Sequence, residues 1–243
     1  MKIALLGYGK MGRLIEKIAT ERGHEIVARI DKHTGSADLR GADVAIDFST
    51  PKAAPGNIQN CLEAKVPVVC GTTGWNEEYP RIQAEVKKQD GALLRSSNFS
   101  LGVNLFFELN KYLARLMEPF PQYRATETEI HHIHKLDAPS GTAITLAEGI
   151  VRENTRYDGW QLEEDGKAIP ENSIGIRAIR EGEVPGIHTV AYTSSVDSIK
   201  IRHEAFSREG FAMGAVIAAE WIVGRKGIFS MRDVLFGEKS LAR

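Results

Sequence analysis

Three of the chain's seven histidines fall within four residues, at His131, His132 and His134, and Lys135 follows at once. The cluster lies in a segment that runs from Glu129 through Asp137 and Pro139 to Ser140, Gly141 and Thr142. Imidazoles and an ammonium crowded together raise one another's cost of carrying charge, which makes release of a proton near neutral pH possible. Upstream, Arg124 to His132 alternates: Thr126, Thr128, Ile130 and His132 point one way, and Glu127, Glu129 and His131 the other. Pro139 and Gly141 read as a turn, and an apolar helical pattern runs from Thr142 to Asn154. A strand ending in two histidines, a loop carrying a lysine and then a helix start make a plausible catalytic edge. The backbone N–H groups and positive dipole end of that helix start, expected at Ser140–Thr142, suit a carboxylate or phosphate. Two other readings stand beside the acid–base one. Strand histidines are often surface residues, and a loop lysine is usually solvated. His131 and His134 also have a ligand-like spacing, but a tetrahedral metal site needs a third soft or carboxylate ligand, and Lys135 repels a cation.

The elements that would position this chemistry begin with Lys2–Leu6, a short apolar run, followed by Gly7-Tyr8-Gly9-Lys10-Met11-Gly12 and a helical pattern from Lys10 to Arg22. Strand, glycine pattern, then helix is the context in which these glycines have meaning. Gly7 allows a tight turn, Gly9 lets a pyrophosphate approach the backbone, and Gly12 lets helix and strand pack closely. Lys10 and Arg13 add positive charge there. The next strand, Glu25 to Ile30, ends on Asp31, about 20 residues downstream, where a carboxylate accepts hydrogen bonds from an adenosine ribose. Lys32 follows and offsets the repulsion between Asp31 and a 2′-phosphate, so both NADH and NADPH are expected to serve.

Further strands are expected at Val44–Ser49, Val66–Cys70 and Ala92–Ser96, with helices through Ile58, Cys61 and Leu62 and over Glu77–Gln89. This alternation predicts a Rossmann-type, doubly wound parallel sheet. Strand ends line the ligand crevice in such sheets, so Asp47–Ser49, Gly71, Thr72 and Thr73, and Ser96, Ser97, Asn98 and Phe99 are expected along the ribose and nicotinamide. Gly102–Glu118 reads as an amphipathic helix whose stripe (Leu105, Phe106, Leu109, Tyr112, Leu113, Leu116, Met117) is expected to be domain core. Asp158–Asn172 is polar and turn-rich and reads as a loop. Ile174–Arg180, His188–Ser195 and Ser198–Phe206 read as strands of an open, mixed sheet, and Phe211–Gly224 as a helix. Ser230 and Asp233 resemble a capping pair for a short final helix. The chain therefore reads as α/β: a dinucleotide-binding domain from 1–99 plus 209–243, and an inserted α+β substrate and oligomerisation domain over 100–208.

Composition narrows the classes. With 31 basic and 32 acidic residues the formal charge is −1, which calls for neither nucleic acid nor an anionic membrane. Cys61 and Cys70 form no disulfide framework, in keeping with a reducing, cytoplasmic compartment. Lys2–Leu6 already reads as structure, so no signal peptide is expected ahead of it.

The blocks Gly7–Gly12, Asp47-Phe48-Ser49, Gly71-Thr72-Thr73-Gly74, Asn98–Asn104 and above all Glu129–Thr142 resemble those of the 4-hydroxy-tetrahydrodipicolinate reductase (dihydrodipicolinate reductase) family. They run through most of the chain, in matching order. The resemblance implies reduction of 4-hydroxy-tetrahydrodipicolinate to tetrahydrodipicolinate with NADH or NADPH, in diaminopimelate and lysine biosynthesis. It implies His131 as proton donor and acceptor, Lys135 as second proton donor, His132 on the substrate, and Ser140, Gly141 and Thr142 around a substrate carboxylate. Gly7, Tyr8, Gly9, Lys10, Met11, Gly12, Asp31, Gly71–Thr73 and Ser96–Phe99 would hold the cofactor, with Lys32 where an NADP 2′-phosphate is met. No resident metal is implied. A homotetramer built through the substrate-domain sheet is also implied. Asp31 stands where many members carry Glu, and Lys32 where many carry Arg.

Overall fold

The strands at Lys2–Leu6, Val44–Asp47, Val68–Cys70 and Ala92–Arg95 are short and mostly apolar because both faces of their sheet are covered. The computed structural model describes residues 1–31, 38, 39 and 41–237. In chain order the first elements are β1 (Lys2–Leu6), α1 (Lys10–Glu21), β2 (Glu25–Ile30), β3 (Val44–Asp47), α2 (Ala54–Glu63), β4 (Val68–Cys70), α3 (Tyr79–Lys88) and β5 (Ala92–Arg95). Next come α4 (Leu101–Met117), β6 (Arg124–His131), α5 (Gly141–Glu153), β7 (Gly159–Leu162), β8 (Ser173–Arg180), β9 (Gly186–Thr193) and β10 (Ser198–Ala205). The chain closes with α6 (Glu209–Ile222), β11 (Gly227–Phe229) and α7 (Met231–Phe236).

Two compact units result, one of Met1–Leu101 with Glu209–Arg243, the other of Gly102–Arg208. The first is a parallel six-stranded sheet in the order β11-β5-β4-β3-β1-β2. One face buries Ile15, Ile18 and Ala19 of α1 and Ala215, Val216 and Ile222 of α6. The other buries Ile58 and Leu62 of α2 and Ile82 and Val86 of α3. Parallel pairing puts the C-terminal ends of β1, β3, β4 and β5 on one edge, and the Gly7–Gly12 turn leaves from that edge. Asp233 caps α7 by accepting at 2.7 Å from both the N–H and the hydroxyl of Ser230.

The second unit is a mixed five-stranded sheet, β10-β9-β6-β8-β7, with β6 antiparallel to β9 and parallel to β8. Its core joins Phe106, Leu113 and Met117 of α4 and Leu146 and Ile150 of α5 to Ile174, Ile176, Val190 and Tyr192 of the sheet. β6 buries Ala125, Glu127, Glu129 and His131, so the charged face of its alternation is the one turned inward.

Three expectations need correction. The stretch expected to be a loop over Asp158–Asn172 holds β7, a short, partly exposed edge strand with too few residues to alternate visibly. β11 was not expected, because three residues after a glycine make no readable pattern. The α4 stripe is not all core: Phe106, Leu113 and Met117 are buried, whereas Leu105, Leu109, Tyr112 and Leu116 are about half exposed.

Candidate active site

In the first unit the glycine turn is forced by contact. Gly7 has φ +97°, and a Cβ there would lie 2.2 Å from the Phe48 carbonyl oxygen. A Cβ on Gly12 would lie 2.3 Å from the Gly7 carbonyl oxygen. Beside Gly9 the space is open, and the first turn of α1 carries neither a capping side chain nor an acid. Its N–H groups and positive dipole end therefore have room for a phosphate. Lys10 is exposed at that helix start. Met11 packs against the core, and the Tyr8 hydroxyl donates to Glu16, which Arg29 also holds. Hydrogen bonds from Arg29 and then Tyr8 keep the Glu16 carboxyl below its usual range. Asp31 is exposed just past β2; Lys32 lies outside the described residues.

The wall beyond is braced from within. Asp47 is fully buried and accepts from the Ser49 hydroxyl at 3.0 Å, Asn57 Nδ2 at 2.6 Å and the Thr72 hydroxyl. Burial pushes its carboxyl up, and these bonds oppose the rise. The Thr72 side chain is thus engaged at the end of β3, and its carbonyl accepts from Trp75 Nε1 at 2.7 Å. Gly71 makes room for Phe48, whose ring a Cβ would meet at 2.3 Å. Ser96 donates its hydroxyl to the Asn98 carbonyl at 2.7 Å, and Asn98 Oδ1 accepts from the Ser100 N–H at 2.9 Å. The Phe99 ring is core, 5.7 Å from Phe48. Among the expected cofactor contacts, Gly9, Lys10, Asp31, Thr73 and Ser97 are exposed, while Thr72, Asn98 and Phe99 are buried. Open space at Gly9, an uncapped helix start and a glycine-lined strand edge fit a dinucleotide.

The second unit gathers the acid–base groups at the end of β6. His131 is buried, with Nδ1 3.3 Å from Glu129 Oε2. Glu129 Oε1 accepts from the Ser140 N–H at 3.0 Å and from Arg180 Nη2 at 3.2 Å. Burial alone would raise the Glu129 carboxyl, but the bonds to His131 and Ser140 outweigh it and bring it down to about 2. Arg180 also donates through Nε to the Lys135 carbonyl at 3.3 Å and through Nη2 to the Asp137 carbonyl, at 2.5 Å. One guanidinium therefore holds both the carboxylate behind His131 and the loop that carries Lys135.

Lys135 Nζ donates to both oxygens of Asp137, at 2.7 and 2.9 Å. Burial works to raise the Asp137 carboxyl, and the ammonium more than reverses it. His132 is half-buried with Nδ1 unpartnered. Ser140 caps α5 by accepting from the Ala143 N–H at 3.2 Å, so its backbone and hydroxyl are both engaged; Gly141 is exposed and Thr142 half-buried at the same helix start. His134 does not join His131: it is exposed and paired with Glu183 at 3.1 Å. The metal spacing read from those two histidines is therefore not realised.

Sequence reasoning missed Arg180, Asp137 and His188. The His188 ring meets His131 edge to face, with centroids 5.1 Å apart. Atoms of metal-ligand type on Glu129, His131 and His188 come within 4.8 Å of one another. The guanidinium on Glu129 opposes a cation there.

A family model described as "Dihydrodipicolinate reductase, N-terminus" matches residues 1–99, and one described as "Dihydrodipicolinate reductase, C-terminus" matches 102–235. The chain is 53% identical over 237 residues to the 4-hydroxy-tetrahydrodipicolinate reductase of Christiangramia forsetii, covering 97% of this chain and 98% of that protein. It is 38% identical over 261 residues to the enzyme of the same name from Archaeoglobus fulgidus, covering 97% and 100%. The fold is that of a dipicolinate-bound dihydrodipicolinate reductase from a Paenisporosarcina species, with TM-score 0.75 at 22% identity over 97% of this chain and 99% of that one.

Proposed function

The chain belongs to the dihydrodipicolinate reductase family, and from that membership we propose the roles its residues take in the reaction. It is an NAD(P)H-dependent oxidoreductase that reduces 4-hydroxy-tetrahydrodipicolinate to tetrahydrodipicolinate in diaminopimelate and lysine biosynthesis. The bound dihydronicotinamide supplies the hydride. Gly7, Gly9 and Gly12 with the start of α1 hold its pyrophosphate, Asp31 and Lys32 its adenosine end, and the backbones of Gly71–Thr73 and Ser96–Phe99 its nicotinamide side.

The second unit supplies the proton. Reduction at a conjugated carbon drives negative charge toward the ring nitrogen, and a positioned acid there is worth about 10²–10⁴-fold. His131 is that acid. Its Nδ1 faces Glu129, which leaves Nε2 as the nitrogen that transfers the proton. Lys135, steadied by Asp137, is the second donor. The substrate's carboxylates meet the cationic side of this loop, His132 and the N–H groups of Gly141 and Thr142, as electrostatic positioning requires. The relative with dipicolinate bound, a planar ring dicarboxylate, supports that ligand class. The observation that carries the assignment is Arg180, which grips the carboxylate behind His131 and the loop of Lys135 together.

The proposed assembly is a homotetramer through the substrate-domain sheet, and the proposed compartment is the cytoplasm. No helix among the described residues is long and apolar enough to cross a membrane. Light scattering on the purified protein tests the assembly. The activity assignment is tested by oxidation of NADH with freshly generated substrate, against 2-oxo acids, aldehydes and polyols. His131→Gln and Lys135→Ala lose turnover while NADH affinity holds. Full turnover in both variants would remove the two residues from the mechanism.

A further inference from the structure

Behind His131 lies a second acid–imidazole pair that the reaction as described does not use. Glu127 is fully buried, and among the described residues neither of its carboxylate oxygens has a hydrogen-bond partner. Its one ion-pair contact among the described residues is His188 Nδ1, 3.5 Å from Oε1. His188 is equally buried, with Nδ1 unpartnered, and its ring packs edge to face on His131. The register explains the meeting: Glu127 and Glu129 share the inward face of β6, and His188 of β9 pairs with Glu129. A lone carboxylate in such a place costs several kcal/mol, and an apolar pair of similar volume would pack at less cost.

We propose that Glu127 and His188 form a positioning pair for His131, in which Glu127 keeps the proton, shares it with His188 Nδ1 as a hydrogen bond, and so fixes the ring against which His131 is held. This rests on His131 being the proton donor. The groups facing His188 are Glu127, Glu129 and His131 from β6, His203 from β10, and Lys135 from the following loop. Burial, then repulsion from Glu129, holds the Glu127 carboxyl well above its usual range. Burial, then His131, brings His188 down to about 3. Both effects leave the pair uncharged, so Glu129 is the anion that His131 senses. The arrangement orients His131 without adding a charge that would weaken it as an acid.

The test combines spectroscopy on the intact enzyme with two variants. Nitrogen-15 NMR of labelled histidines shows His188 as a single neutral tautomer, protonated at Nε2, through the neutral pH range. Infrared difference spectra show a protonated carboxylic acid at neutral pH that disappears in Glu127→Gln. Glu127→Ala lowers kcat about tenfold through loss of orientation, moves the pH profile of kcat, and leaves NADH affinity alone; Glu127→Gln, which can still donate to His188, recovers most of that loss. A charged or freely titrating His188, or a Glu127→Ala enzyme with wild-type kcat and pH profile, overturns the proposal. Should Glu127→Ala fail to fold, the spectra of the wild-type enzyme decide alone. The outcome separates from the reading it rests on: active His131→Gln enzyme would remove the acid, whatever the state of His188.

Discussion

The backbone N–H of Ser140 donates to Glu129 at 3.0 Å, so the helix start expected to receive a substrate carboxylate already binds a carboxylate of its own. That bond ties α5 to the inward face of β6 and sets where Gly141 and Thr142 stand. It also makes Glu129 a pH-sensitive part of the fold. With its carboxyl at about 2, below the ordinary value, Glu129 is ionised more readily folded than unfolded. The stability this adds is complete above about pH 4.3 and is lost as pH falls toward the folded value. Urea midpoints should drop across that window in the wild type and more shallowly in Glu129→Gln. The same variant should lose at least tenfold in kcat, since an amide does not support an imidazolium as a carboxylate does. A Glu129→Gln enzyme with full kcat would detach this carboxylate from His131.

Arg180 reaches the Glu129 carboxylate and the carbonyls of Lys135 and Asp137 with one planar guanidinium. Arg180→Ala leaves a buried anion without its guanidinium and should cost about 3 kcal/mol, read from denaturant unfolding. Arg180→Lys should restore part of the stability and little of the turnover, because a point charge cannot bridge three acceptors. If both variants keep wild-type kcat, the guanidinium does not position the acids.

Asp137 is more than half exposed, and its pairing with Lys135 should matter to chemistry more than to folding. Exposed pairs contribute about 0–1 kcal/mol. Asp137→Asn should therefore leave Tm within a degree or two of wild type while kcat drops several-fold through a wandering Lys135. A large fall in Tm with intact kcat would show the reverse assignment.

What the sequence made legible was local. Gly7, Gly9 and Gly12 announce a turn between strand and helix because a strand precedes them and a helix follows, and the structure has that turn, with no room for a Cβ at Gly7 or Gly12 and open space at Gly9. The alternation of β6 placed Glu127, Glu129 and His131 on one face correctly, without showing that this face would be the buried one. Partners distant in the chain stayed hidden. Arg180 is 51 residues from Glu129, and nothing in either neighbourhood announces the bond. Thr72 and Asn98 carry the side chains a cofactor wall would use, yet Asp47 and Ser100 claim them, and only tertiary packing decides that.

Cofactor choice turns on Asp31, exposed at the end of β2. A carboxylate there is expected to accept from a ribose diol and to repel a 2′-phosphate, and the proposed role of Lys32, which lies outside the described residues, is to counter that repulsion. NADH and NADPH should give kcat/KM values within about 100-fold, or ~2.7 kcal/mol. Asp31→Ser should raise KM for NADH and lower it for NADPH. An equal change for both cofactors would place the selectivity elsewhere.

The helix α4 tests how a single apolar stripe divides when it packs. Val103, Phe106, Asn110, Leu113, Ala114 and Met117 are its buried residues, and Leu105, Leu109, Tyr112 and Leu116 form a neighbouring row about half exposed. Adjacent positions sit about 100° apart on a helix, so residues merged into one face by eye belong to two. Of the two rows, it is the first whose Phe106, Leu113, Ala114 and Met117 join the core with α5 and the sheet. Leu113→Ala should therefore cost about 2–5 kcal/mol from lost burial and a residual cavity. Leu109→Ala, which opens no cavity, should stay within about 0.5 kcal/mol. The comparison belongs in urea unfolding of the two variants side by side, at a protein concentration low enough to keep assembly from contributing. Equal losses would mean that the second row is covered in the working molecule.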